Sequence, residues 1–342
     1  MLKSRILFVL LALVAIGAAT AGGVAVWAHN AVHAPGPLTE PRVYVVARGA
    51  ALSSIARDLE SAGIIEDGTL FKGYARYRQA NRSLRAGEYE IAAGASMAEI
   101  LELLVSGKTV LHRITVPEGL TSYQVASLIN EAGPLTGTIE TPPEGSILPE
   151  TYNFARDEDR AVLLERMSEA MTETLAELWE QRASDLPIKT PEEAVILASI
   201  VERETGIAAE RPRVAAVFVN RLRKGMRLQS DPTIIYALSD GKGRLDRQLL
   251  FKDLEIKDPY NTYRVKGLPP GPICNPGRAS LAAVLNPPDT DELYFVADGT
   301  GGHVFATTLA EHERNVRNWR KIEREIRRRM RQEEQQRKNQ QQ

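Results

Sequence analysis

A charge-free run from Ile6 to Ala28 constrains this 342-residue chain more than any other feature. As a helix rising about 1.5 Å per residue, it is long enough to cross the roughly 30 Å of hydrocarbon in a bilayer. Lys3 and Arg5 precede it, and Trp27 sits near its far end, where an interfacial aromatic belongs. The basic flank stays in the cytoplasm, so everything after about residue 30 is carried across the membrane. A cleaved signal peptide is the rival reading, because Ala19-Thr20-Ala21 resembles a small-residue cleavage site. The apolar run continues past it through Val24, Val26 and Trp27, which favours a retained anchor. Both readings put the bulk of the chain outside the cytoplasm.

The remainder is long enough for more than one domain and a sizeable core, with 43% hydrophobic and 25% charged residues overall. A formal net charge of -1 gives no global case for nucleic-acid binding. Cys274 is the single cysteine, which excludes an intramolecular disulfide and any zinc-ribbon spacing. Pro35, Pro37 and Pro41 mark residues 29–42 as a short stiff linker.

A weak internal repeat follows. VARGAALSSIARDLESAG places Gly49, Ile55, Ala56, Leu59 and Gly63 where VPEGLTSYQVASLINEAG places Gly119, Val125, Ala126, Ile129 and Gly133. AAGASMAEILELLVSG is a partial third copy, with Gly94, Ile100, Leu101, Leu104 and Gly107. Each predicts a strand, a turn at the glycine, then an amphipathic helix with Ser or Thr near its N-cap. The preceding strands are Val43–Val46, Tyr89–Ala92 and Leu111–Val116. This pattern resembles the LysM module, a small fold that binds cell-wall glycan; the alternative is small α+β units that pack for stability alone.

A Gly/Pro-rich break at 133–145 separates this region from a second one that opens with SILPETYNF. A long amphipathic helix is predicted over 160–182, and the segment after about residue 320 is almost all charged or Gln, a frayed helix or disordered tail.

Between them lies ILASIVERETG, an apolar run closed by Glu202 and Glu204. Thr190-Pro191-Glu192-Glu193 predicts the helix start, with Thr190 as cap, Pro191 in the first turn and Glu193 completing a capping box. The helix should run to Glu204, with Gly206 placed to end it. At about 100° per residue, Glu204 lies over Leu197, Ile200 and Val201, whereas Glu202 lies over Val195, Ala198 and Ser199. Apolar neighbours and the C-terminal end of the helix dipole both disfavour a charged Glu204, which suits a general acid. From the helix alone, two solvated acids paired with Arg203, Arg211 or Arg213 are the better reading.

Downstream, VFVNRLRKGMRLQSDPTIIYAL reads as helix, polar loop and second helix capped by Ser230 or Asp231. DPYNTYRVKGLPPGPICNPG is a loop dense in Tyr, Asn, Gly and Pro, the kind of surface that stacks on sugars and bonds their hydroxyl and amide groups. ASLAAVLNP, LYFVADG and GHVFATTLAEHERNVRNW supply a helix, a strand and a closing segment.

SIVERETG, VFVNRLRKGMRLQSDPTIIYAL, YNTYRVKGLPPGPICNPG and LYFVADGTGGHVFATTLAEH together resemble the MltG (YceG-like) family of endolytic murein transglycosylases, over nearly the whole chain. The resemblance implies an α+β protein with a single N-terminal transmembrane helix (6–28, after a cytoplasmic 1–5), a LysM-like α+β domain (43–140), a mixed α+β catalytic domain (145–320) and a charged tail (321–342). It implies Glu204, followed by Thr205, as the catalytic acid/base, with Glu202 as fallback or support. The implied reaction cleaves the MurNAc–GlcNAc β-1,4 bond of peptidoglycan without water, leaves a 1,6-anhydro-MurNAc end, and terminates strand growth. No cofactor or metal is needed. The implied location is the inner membrane with the catalytic domain in the periplasm; the implied partners are peptidoglycan glycan strands and peptidoglycan synthases, not nucleic acid. Gln229, Ser230, Asp231, Tyr260, Asn261 and Tyr263 are candidates for the substrate groove, each with a turn-forming or capping role as the alternative. Cys274 and Arg278 carry no assigned role.

Other chemistries fare poorly. The spacing of His303 and His312 fits no common ligand motif, and Ser199 and Ser230 lack a triad partner. A hydrolytic muramidase and a catalytically inert cell-wall-binding scaffold remain the competing readings.

Overall fold

The computed structural model describes residues 2–340 and is a mixed α+β chain with an apolar N-terminal helix. It falls into two compact units, one running to His112 and taking in Asn153–Glu158, the other holding Arg113–Tyr152 and everything from Asp159. The second full copy of the repeat belongs to the second unit.

The first unit contains α1 (Leu2–His33), β1 (Arg42–Val46), α2 (Leu52–Ser61), α3 (Gly68–Tyr77), β2 (Gly87–Ile91) and α4 (Met97–Ser106). Leu10–His33 of α1 has a mean hydropathy of 2.0, long and apolar enough for a membrane anchor or a signal sequence. The helix continues to His33, shortening the expected linker, because Pro35 is the first residue that cannot extend it. Val32 and Leu38 are buried in this unit's core, so the connection is tied down. β1 and β2 pair antiparallel with Tyr44 opposite Tyr89, over Ile55, Leu59, Phe71, Ile100 and Leu104.

The repeat has a shared backbone cause. Gly49, Gly94 and Gly119 all adopt positive φ (76°, 68° and 79°), turning each strand into its helix at a position costly for other residues. Ser96 closes a capping box with Glu99, and Thr121 one with Gln124. The first copy departs from expectation: Ala51 holds its N-cap position and no side chain caps the helix.

The chain then gives β3 (Leu111–Thr115), α5 (Ser122–Glu131), β4 (Thr151–Ala155), α6 (Arg160–Glu180), α7 (Pro191–Glu204), α8 (Arg211–Arg223), α9 (Asp231–Leu238), a 3-10 turn (Phe251–Glu255), α10 (Arg278–Leu285), β5 (Tyr294–Ala297), β6 (His303–Ala306) and α11 (Leu309–Gln340). β3 neighbours β4, and β5 pairs antiparallel with β6. The core of the second unit is helical and centred on α7, whose Leu197, Ala198, Ile200 and Val201 are fully buried against α6, α8, α9 and α10. Arg160 fastens α5 to the start of α6: its guanidinium donates to the carbonyls of Ile129, Ala132, Leu135 and Gly137 at 2.7–3.0 Å. The charged C-terminal segment continues α11 as helix to Gln340; Gln341 and Gln342, also part of the expected tail, lie outside the described residues.

Candidate active site

α7 starts and stops where its sequence dictates, by partly different means. The Thr190 hydroxyl accepts from the Glu193 N–H at 3.3 Å, but the Glu193 carboxylate reaches back to the Lys189 N–H at 2.5 Å, so the capping box is not closed on Thr190. The helix ends because Thr205 is extended (φ -137°, ψ 131°), not because Gly206 turns left-handed. The buried Thr205 hydroxyl accepts from the Ile207 N–H at 3.0 Å and fixes the exit of the chain.

The two acids that close α7 face different surroundings. Glu202 is nearly buried, accepts from the Gly277 N–H at 2.9 Å and pairs with Arg211 at 3.4 Å. Arg211 also pairs with Glu118 at 3.5 Å, and Gly277 has no room for a side chain, since a Cβ would lie 1.8 Å from Glu118 Oε1. Glu202 thus ties the end of α7 to the loop entering α10.

Glu204 is half-buried, with some solvent contact left. Loss of hydration raises its carboxyl from 4.5 to about 7; the Ser230 hydroxyl favours the ionised form, the Asp231 charge opposes it, and Arg221 favours it again. Ser230 Oγ is buried beside this carboxyl, favours its ionised form, and has no other hydrogen-bond partner among the described residues.

The wall opposite α7 is built by long-range pairing. Gln229 adopts a left-handed φ of 56° and donates its N–H to the Thr262 carbonyl at 3.1 Å. The Ser230 N–H donates to Thr262 Oγ1 at 2.9 Å, and Thr233 Oγ1 donates to the Ser230 carbonyl at 2.7 Å. Asp231 is therefore the first residue of α9 and not its cap; its carboxylate accepts from the Tyr263 hydroxyl at 2.5 Å. Behind this wall the buried Arg221 guanidinium donates to the carbonyls of Leu228 and Leu293, both at 2.7 Å, and lies over the Tyr294 ring at 5.3 Å. Gln229 touches Arg221 through its side chain at 3.5 Å.

The structure therefore gathers Glu204, Ser230, Asp231 and Tyr263, with Gln229 at the edge. Tyr260 stands apart, packed on Tyr236 at 5.0 Å between ring centres. Asn261 is excluded as a surface residue: it is fully buried, donates to the carbonyls of Leu254 and Ile256, and accepts from the Tyr263 N–H. Ser199 is likewise structural, donating to the Ile196 carbonyl and accepting from the Ile273 N–H. His303 bonds Glu210 at 2.7 Å, and His312 stacks on Tyr294 at 5.0 Å. Cys274 is buried against the Ser199 carbonyl, and Arg278 pairs with Glu177.

Sequence reasoning missed Arg221, Tyr236, Glu144 and Asn275. The Asn275 amide donates to the Leu120 carbonyl and Ser122 Oγ and accepts from the Ile147 N–H, joining three loops. Glu144 lies in a segment whose Gly and Pro content suggested only a break. Its acid is pushed up by burial and held by Ser122, Tyr236 and Gly145.

This chemistry can be set beside known proteins. A model of the YceG-like family matches residues 44–318. The endolytic murein transglycosylase of Bacillus subtilis is 35% identical over 301 residues, covering 78% of this chain and 81% of its own length. The chain belongs to the YceG-like family. A second relative bearing the same name, from Streptococcus pneumoniae, is 29% identical over 324 residues, and the chain spans only 57% of its length. Among solved structures, a yceG-like protein from Listeria monocytogenes aligns with a TM-score of 0.50 at 32% identity, covering 80% of this chain and 98% of that one.

Proposed function

We propose that this YceG-like protein is a peptidoglycan lytic transglycosylase that cuts inside glycan strands, with Glu204 as its acid/base. The observation that carries the reading is Glu204 itself. A carboxyl raised to about 7 is partly protonated near neutral pH, keeps some solvent exposure and is not consumed by an ion pair. Its relatives' names supply the substrate.

In the proposed reaction, protonated Glu204 gives its proton to the oxygen of the MurNAc–GlcNAc bond as that bond breaks. The resulting carboxylate takes the proton of the MurNAc C6 hydroxyl while its oxygen bonds to the anomeric carbon. Glu204 returns to its acid form, and the product is a 1,6-anhydro end. One carboxyl suffices because the nucleophile belongs to the substrate. Asp231 favours a second reading: with Glu204 nearby, two carboxylates are available, as in a hydrolase that activates water. Its bond to Tyr263 favours a fixed electrostatic role instead.

The reading places α1 in the inner membrane and the second unit in the periplasm, terminating strand growth beside peptidoglycan synthases. The LysM-like resemblance of residues 43–140 adds a glycan-binding role. The test is incubation of the detergent-solubilised full chain with uncrosslinked glycan strands, followed by mass spectrometry. Anhydro products, one water lighter than reducing ends, are expected from the parent and not from Glu204→Gln. Reducing ends would establish the hydrolase, and an inactive parent the scaffold.

A further inference from the structure

Tyr236, Tyr260 and Glu144 are unused by the chemistry above, yet Tyr236 and Tyr260 lie on the same two elements that build the Glu204 site, and Glu144 reaches them from the loop between α5 and β4. α9 packs on α7, with Asp231 at the end nearest Glu204. Tyr236 comes five residues later, about 7.5 Å further along the axis. The 258–263 loop runs beside α9 and forms two rungs with it. Tyr263 bonds Asp231 at the first, and Tyr260 packs on Tyr236 at the second. The Tyr236 hydroxyl stands close enough to Glu144 for each to shift the other's titration. The Tyr260 hydroxyl closes over Gly271, where a Cβ would lie 2.8 Å from it.

Beyond the second rung is a cavity of about 580 Å³, bounded by Glu144, Ser168, Thr172, Ile196 and Pro272 among others. That volume suits a saccharide-sized ligand. Ile196 lies eight residues, about 12 Å, before Glu204 on α7. The cavity and the acid thus share α7, and the Tyr236–Tyr260 pair abuts the cavity through Glu144 and Gly271. No Lys, Arg or His lines the cavity, and its two acids, Glu144 and Glu192, disfavour an anionic occupant. Leu175, Val195 and Ile196 offer apolar surface, while Ser146, Ser168 and Thr172 offer hydroxyls. This mixture matches a neutral N-acetylated sugar, with a methyl to bury and hydroxyl and amide groups to bond.

We propose that the Tyr236–Tyr260–Glu144 cluster and its cavity form a distal subsite that holds an N-acetylated sugar of the same glycan strand, some units away from the bond at Glu204. The inference rests on the glycan substrate of the reading above, but not on the reaction. Such a subsite makes the protein select strands long enough to reach both rungs.

The test uses the full chain in detergent carrying Glu204→Gln, so that ligand is bound without turnover. Two further variants are compared with it. Thr172→Trp fills the cavity from an exposed position on α6, and Tyr260→Ala removes one ring. Melting curves confirm that each is folded. Calorimetry measures binding of uncrosslinked glycan strands freed of stem peptides, and of a disaccharide. Each variant should weaken binding of long strands about tenfold, a loss of about 1.4 kcal/mol, and leave binding of the disaccharide unaltered. Equal affinity for long strands in all three proteins overturns the subsite. A loss seen only with peptide-bearing strands assigns the cavity to the stem peptide and overturns it too. If the parent with Glu204 intact cleaves nothing while the variants still bind long strands more weakly, the subsite stands and the reaction fails. If it cleaves normally and the variants bind unchanged, the subsite alone fails.

Discussion

Replacing Glu204 by Gln should stabilise the second unit, and the gain should depend on pH in a defined direction. Gln has nearly the same shape and cannot ionise. In the folded protein the Glu204 carboxyl titrates at about 7, against 4.5 for an unperturbed group. Between these values the folded state holds a proton that the unfolded state has released, so stability falls as pH rises through that window. Below about pH 4 both states are protonated and the group costs nothing. Above about pH 7.5 both are ionised and the whole desolvation cost is felt. The rise corresponds to about 3 kcal/mol, a ceiling, because the side chain keeps some solvent contact.

The Gln variant should therefore gain about 2–3 kcal/mol over the parent on going from pH 4 to pH 8. Constant effects of the substitution cancel in that comparison. The chain has two compact units, so a single melting temperature mixes their contributions. Hydrogen exchange of the amides around Ile200 and Val201, both buried in α7, reports the relevant opening free energy directly. The same variant should lose about 10²–10⁴-fold in cleavage rate. A stability difference that is flat across pH would refute the reasoning: the carboxyl would then be a solvated charge at a helix end, without the raised pKa on which the acid/base assignment stands.

Three further outcomes follow from single contacts. Ser230→Ala removes a group that favours ionised Glu204, so the alkaline fall of the cleavage rate should move to higher pH, measured as a pH–rate profile. Gly145→Ala should destabilise the second unit by about 2 kcal/mol in thermal unfolding, since φ is 75° there and a Cβ would lie 2.7 Å from Pro272 Cγ and 2.8 Å from Val195 Cγ1. Arg160→Met should cost about 3 kcal/mol or more, because four carbonyls lose their buried donor, and exchange protection should drop first in α5.

What could be read from the sequence was local, and what could not was long-range. Helical spacing alone put Glu204 over Leu197, Ile200 and Val201, and all three are buried; the Thr190-Pro191 start and the Glu204 end of α7 both stand. The turn glycines of the repeat were legible because positive φ restricts residue choice. The buried amide of Asn261 donates to the Leu254 and Ile256 carbonyls, partners that its place in a loop did not reveal. Glu144 and Arg221 were invisible for the complementary reason. Their neighbours come from Ser122, Tyr236, Leu228 and Leu293, which no periodicity connects to them.

The pair Glu202 and Glu204 shows how far each kind of information reaches. Both sit at the end of an apolar helix, and helix geometry could rank only their apolar company. The structure separates them by partners. Glu202 has Arg211 and the Gly277 N–H, which satisfy a carboxylate and bind it to the scaffold. Glu204 has a buried hydroxyl, a second carboxylate and a cation held back behind the wall, none of which neutralises it outright. An acid left half-satisfied at the end of a helix whose middle is buried costs stability, and a fold that only needed a helix terminus would gain by replacing it. That imbalance is the physical ground for reading Glu204, and not its neighbour, as the working residue.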